Sequence, residues 1–195
     1  MKIKIVIPVI LFAIIMGSCE KQHQENHDSI ITLTKDQKQL VSSSNNFGFN
    51  IFKEAAQNIE AGTNLFISPL SISIALTMLY NGSANLTKEE LSNGLGYSGL
   101  SDEQVNIANR DLIKSLIKAD PKVIMQIANS IWYKNGFSVE PTFLAVNKNY
   151  FDAEVNSGKF DKETKDSINF WVGKRLREEF PKFLMRSRAM LLCIL

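Results

Sequence analysis

The spacing of apolar residues marks out a sequence of helices and strands in the middle of the chain. From residue 46 to residue 59, Phe47, Ile51, Phe52, Ala55 and Ile59 recur on one helical stripe. That spacing predicts an amphipathic helix stopped near Gly62. Residues 65–67 are a short apolar run that predicts a strand. Ser68 and Pro69 then open a helix over 69–80, Ser68 as its cap and Pro69 in the first turn. This helix is apolar almost all round, through Leu70, Ile72, Ile74, Ala75, Leu76, Met78 and Leu79. It is therefore expected in the core of something larger than a small bundle. Asn81-Gly82 ends it.

Two capping-box patterns follow. Thr87 with Glu90 predicts a short helix ending near Gly94, and Ser101 with Gln104 a longer one to about Lys118. In the longer helix Val105, Ala108, Leu112 and Leu116 point inward. After the break at Asp120-Pro121, residues 123–133 read as a strand apolar on both faces, hence internal to a sheet. Asn135-Gly136 turns the chain, and Pro141 opens a helix to about Phe151. Residues 153–160 predict a second strand. Asp161 caps a last helix carrying Ile168, Trp171 and Val172. The order gives an α+β fold rather than a regular βαβ alternation.

The first residues have a different character. Lys2 and Lys4 precede a nearly continuous apolar stretch over 5–16, too short to span a bilayer. Its length and flanks are those of a secretory signal. It ends Met16-Gly17-Ser18-Cys19, which resembles a bacterial lipobox. That resemblance implies that residues 1–18 are removed and that Cys19 carries the lipid. The expected location is the bacterial cell envelope or cell surface, with the membrane reached through the lipid anchor. Residues 19–44 are mostly polar and read as a tether.

Composition removes several classes of function. The chain has 195 residues, 22 basic against 20 acidic, a net charge of +2 and 45% hydrophobic content. Nothing in that balance points to nucleic acid. The two cysteines, Cys19 and Cys193, lie at opposite ends and do not suggest a disulfide. The only histidines, His23 and His27, fall in the tether without further ligands, so no metal and no cofactor is expected. The folded part has no histidine, which excludes a Ser-His-Asp or Cys-His nucleophile there. Gly94-x-Gly96 lacks the third glycine and the preceding strand of a nucleotide loop. Asn81 and Asn85 are formal glycosylation acceptors, a feature without meaning in a bacterial lipoprotein. Trp132, Tyr133, Phe170 and Trp171 read as core. Arg110, Lys114, Lys118 and Lys122 recur every four residues as a candidate polyanion-binding stripe.

Four segments, in order, resemble the serpin family. The run from Asn64 to Ser73, with Met78-Leu79-Tyr80-Asn81-Gly82-Ser83, resembles the serpin strand and helix B signature. Ala128-Asn129-Ser130-Ile131-Trp132-Tyr133 resembles strand 2 of serpin sheet A. Tyr150-Phe151-Asp152-Ala153-Glu154-Val155 resembles the end of helix E with the next strand, and Ile168-Asn169-Phe170-Trp171-Val172 resembles helix F. The resemblance covers residues 45–174 and implies the N-terminal half of a serpin fold, helices A–F with strands 1 and 2 of sheet A. It implies a shutter at Ser68 and Ser71, where short hydroxyl side chains trade hydrogen bonds as the sheet opens. It also places the basic stripe along and just past helix D.

The family inhibits serine, and sometimes cysteine, proteases. The protease cuts an exposed reactive loop, which then inserts into sheet A; the inhibitor itself is no enzyme. Neither that loop nor strands 3, 5 and 6 of sheet A are found in this sequence. The expectation is a poorly folded, inactive fragment whose protease partner belongs to a full-length version. The alternative is a non-inhibitory binding or adhesion lipoprotein on the same scaffold. Residues 175–195 depart from the pattern: they hold four of the five arginines and end in the apolar run 189–195. Regrouping the codons from about Lys174 into another frame restores the family's Thr-x-Gly-x-Ile followed by Asp-Ala-Val. A frameshift is therefore expected there.

Overall fold

The computed structural model describes residues 32–60 and 62–175. The expectations for the signal, Cys19, His23 and His27, and for the tail from residue 176 on, lie outside these residues.

The first helix, α1 (Lys35–Gln57), starts well before residue 46. Its start is a capping box: Thr34 Oγ1 accepts from the Gln37 N–H at 3.3 Å, and Gln37 Oε1 accepts from the Thr34 N–H at 2.9 Å. Residues 35–44 are thus part of the folded domain, which corrects the tether assignment for that stretch. The reason is Leu40, which is 0% exposed and packs with Val105 and Leu112. Farther along, Phe47, Ile51 and Ala55 are half-buried as the stripe predicts, whereas Phe52 and Ile59 are exposed.

Residues 65–67 form no strand, since no other described segment pairs with them, and Phe66 stands 91% exposed. Helix α2 (Pro69–Tyr80) follows as predicted. Its surroundings are split: Tyr80, with Leu76 beside it, joins one cluster, and Ile74 and Met78 join another. Ala75 is exposed, so the helix is covered on part of its circumference rather than all round. Gly48 of α1 lies where a Cβ would come 3.3 Å from the Pro69 side chain, so the glycine lets the two helices cross closely.

Helix α3 (Asn85–Leu95) starts before Thr87, and its cap, Ala84, offers no side-chain bond. The predicted Thr87–Glu90 box is therefore corrected: both residues sit inside the helix. The Asn81–Ser83 turn delivers the chain straight into it, with Ser83 Oγ donating to the Tyr80 carbonyl at 2.8 Å. Gly96 caps α3 in the left-handed region (φ 72°), where a Cβ would lie 2.8 Å from Ser43. That accounts for the glycine without any phosphate. Helix α4 (Asp102–Lys118) has the predicted Ser101–Gln104 box.

Strand β1 (Ser130–Lys134) is much shorter than the predicted 123–133. Helix α5 (Pro141–Phe151) leads to β2 (Glu154–Gly158), also shorter than predicted. The two strands pair in parallel, Ser130 with Glu154 through Lys134 with Gly158. A strand ends where its partner ends, and residues 123–128 have no partner; Ile124 is 69% exposed there. Helix α6 (Lys162–Arg175) is capped by Asp161, whose carboxylate accepts from the Thr164 N–H at 3.0 Å. Ile168 and Val172 bury against Trp132, and Arg175 reaches back to an ion pair with Glu154.

Candidate functional site

The start of α2 carries the predicted shutter serines. Ser68 is extended (φ −116°, ψ 92°) and caps the helix, its Oγ accepting from the Ser71 N–H at 3.3 Å. The two hydroxyls also bond each other at 2.8 Å. Both side chains are exposed. Their bonds are local and water can replace them, so the pair is free to exchange partners. No metal-ligating cluster of three acidic, histidine or cysteine residues occurs among the described residues.

Two more hydroxyls follow on the same helix but are buried. Ser73 Oγ donates to the Leu70 carbonyl at 2.9 Å, and Thr77 Oγ1 donates to the Ser73 carbonyl at 2.7 Å. With the threonine proton spent, Tyr97 is the donor in its 2.5 Å contact with Thr77 Oγ1. Burial pushes the Tyr97 phenol above its ordinary 10.0. No local pattern in the sequence pairs Thr77 with Tyr97. The available signal was a threonine in an otherwise apolar helix, which must find a buried partner.

Two further polar contacts tie α2 to its neighbours. Asn81 and Asn106 form a reciprocal amide pair, each Nδ2 donating to the other's Oδ1 at 2.8 and 2.9 Å. Tyr80 donates to Asp102 at 2.5 Å, Lys88 pairs with the same carboxylate, and the Lys88 ammonium lies 4.7 Å from the Tyr80 ring centre. Burial pulls the Asp102 carboxyl upward, but the bonds from Lys88 and Tyr80 outweigh it and hold the group below its usual range. Burial and the Asp102 bond push the Tyr80 phenol well above 10.0.

The basic stripe is not uniform. Lys114, Lys118 and Lys122 are exposed, but Arg110 bonds Asp111 at 2.8 Å and lies over the Tyr150 ring at 5.6 Å. Arg110 is thus committed to its own neighbourhood. Among the aromatics, Trp132 is buried, and Tyr133 and Trp171 are half-buried. Phe170 is 74% exposed, which corrects its assignment to the core: the apolar face of α6 is set by Ile168 and Val172. Phe170, Trp132, Trp171 and Glu154 line an open cleft of about 540 Å³. Phe49, Phe52 and Pro69 line a second, apolar groove of about 580 Å³ between α1, α2 and α4.

The fold is that of solved serpins. Human kallistatin superimposes with a TM-score of 0.73 over 80% of this chain and 42% of that one, at 21% identity. An Arabidopsis serpin in its native stressed conformation gives 0.68 over 80% and 40%, also at 21% identity. The sequence matches the family model described as serpin (serine protease inhibitor) over residues 42–194. That match runs through the compositional break at residue 175. Serpin A12 of Rattus norvegicus is 31% identical over 143 residues, covering 72% of this chain and 34% of that protein. Neuroserpin of Mus musculus is 36% identical over 111 residues, 56% of this chain and 27% of that protein. The chain belongs to the serpin family. It spans about a third of the length of these curated relatives.

Proposed function

We propose that the chain is the N-terminal part of a serpin-type inhibitor of serine proteases, and that residues 1–195 alone do not inhibit. The observation that carries this reading is coverage: the chain corresponds to 34% of Serpin A12. Inhibition by loop insertion needs a cleaved segment to join the central sheet as a strand. Among the described residues that sheet has two strands, β1 and β2. Mixing the chain with trypsin-, chymotrypsin- and elastase-like proteases tests the reading. The expected result is full protease activity and no complex stable to detergent; a covalent complex with cleaved chain would overturn it.

In this reading Ser68 and Ser71 are the shutter, supported by an exposed hydroxyl pair that can trade partners. Cys19 is the lipid attachment site, supported by the Met16-Gly17-Ser18-Cys19 sequence. Metabolic labelling with a tagged fatty acid in a bacterial host should mark the chain, and Cys19→Ser should lose both label and membrane fractionation. The frame change near Lys174 rests on the regrouped codons and is tested by sequencing the DNA across that position. The same tail, in frame, in independent isolates would sink it.

A further inference from the structure

The sequence contains three Asn-Gly pairs: Asn81-Gly82, Asn93-Gly94 and Asn135-Gly136. Asn-Gly is the dipeptide most open to spontaneous deamidation, because glycine leaves the following amide nitrogen unhindered. The nitrogen of the glycine attacks Cγ of the asparagine side chain. The bond from Cγ to the side-chain nitrogen breaks, and ammonia leaves with the displaced amide proton. The resulting five-membered succinimide is opened by water at either carbonyl, giving aspartate or isoaspartate. The reaction needs only water, but it also needs a free side chain and a mobile backbone.

The fold treats the three pairs differently. Asn81 has its amide held twice, by the reciprocal bonds to Asn106 and by donation to the Thr77 carbonyl at 3.1 Å. Its attacking nitrogen is also engaged, since the Gly82 N–H donates to the Leu79 carbonyl at 2.9 Å. The Phe143 ring closes over Gly82, at 2.7 Å from where a Cβ would stand. Asn93 is exposed, but it and Gly94 lie inside α3, whose backbone must open before the ring can close. Asn135 and Gly136 are both exposed, in a turn closed by the Phe137 N–H on the Lys134 carbonyl at 3.0 Å. Gly136 has φ 82° and open space around it. No hydrogen bond holds the Asn135 side-chain amide or the Gly136 N–H among the described residues.

We propose that Asn135 is a site of selective spontaneous deamidation, and that the fold shields Asn81 and Asn93. The site lies where the modification would be felt. The Asn135 N–H donates to the Gly158 carbonyl at 2.8 Å, just past the last β1–β2 pair. Isoaspartate would put an extra methylene into the main chain at that bond and a new negative charge beside Lys134.

The test is to age the purified chain in mildly alkaline buffer and follow each Asn-Gly peptide by mass spectrometry, with an isoaspartate-specific methyltransferase as a second readout. Asn135 should convert faster than either other site by about tenfold or more, the factor for losing one or two hydrogen bonds before reaction. In strong denaturant the three rates should converge. Asn135→Gln should abolish the fast acidic isoform, and Asn106→Ala should raise the Asn81 rate. Equal rates at the three sites in native buffer, or faster conversion at Asn81 or Asn93, would overturn the proposal.

Discussion

The part of the chain from α1 to α4 and the part from residue 123 on satisfy their polar and apolar groups in different ways. In the first, Leu40, Tyr80, Leu95, Tyr97, Val105 and Ala108 bury one another. Every helix there ends on its own cap or turn, and the buried hydroxyls and amides find partners within the same set of helices. In the second, residues 123–128 form no strand and pair with no described segment, and the sheet stops at two strands among the described residues. Phe66, which precedes α2, shares that condition. Helices complete their hydrogen bonds from their own sequence, while a strand needs another strand from elsewhere in the chain. The chain covers 27–46% of the length of the relatives it matches, and the open positions are the non-local ones.

Mutations test this contrast. The largest effect is expected from Leu40→Ala, which removes a fully buried side chain from the self-contained cluster. It should destabilise that region by about 2–5 kcal/mol. Hydrogen exchange on the purified chain would read this as lost protection in α1 and α4. Phe66→Ser, at a position 91% exposed, should move the same readout by no more than about 0.5 kcal/mol. It should instead improve solubility, seen as less scattering on concentration. If both substitutions act alike, the two regions are not distinct.

A smaller effect is expected from Thr77→Val, which leaves the Tyr97 hydroxyl buried without its acceptor. The cost should be about 1–3 kcal/mol, measured by the same exchange experiment, and Tyr97→Phe in the Thr77→Val background should recover part of it.

Alkaline titration gives a third test. Tyr80 and Tyr97 have folded pKa values raised above the 10.0 of the free phenol. Their contribution to stability is complete below pH 10.0 and is lost as pH rises through the folded values. Tyr97→Phe should flatten that loss when unfolding is followed by phenolate absorbance. A modest effect should come from Lys88→Met. Asp102 has a depressed pKa, so its contribution is present above the ordinary carboxyl range and is lost as pH falls through the folded value. The pair is partly exposed, and its removal should cost less than about 1 kcal/mol at neutral pH. The substitution should also shrink the loss of stability on acidification.

The sequence announced the features whose cause is local. Ser68-Pro69, the Ser101–Gln104 box, Asn135-Gly136, Pro141 and Asp161 each act within a turn of chain, and each stands where its residue type predicts. The start of α1 is written in Thr34-x-x-Gln37, but the residues around Leu40 are too polar to continue the apolar stripe back to it. Thr87–Glu90 has the pattern of a box and is none, because the preceding turn had already started α3. The strand lengths were not legible. Apolar residues at 123–127 mark a segment suited to a sheet, but pairing depends on what lies beside it. Of the candidate site, Ser68 was legible as a cap from its place before Pro69, and the Ser68–Ser71 pair as a site only through the family resemblance. The Thr77–Tyr97 bond was not, since it joins residues brought together only by the packing of α2 beside α3.

The residues of the self-contained cluster lie between positions 40 and 112. During synthesis, all of them emerge from the ribosome before β1 does. An N-terminal unit can therefore settle while the rest of the chain is still being added. The open edge and the exposed phenylalanines wait for later segments. Order of emergence thus gives the molecule a fixed first step, and the interval before the next is the period in which it is most exposed to chaperones and proteases.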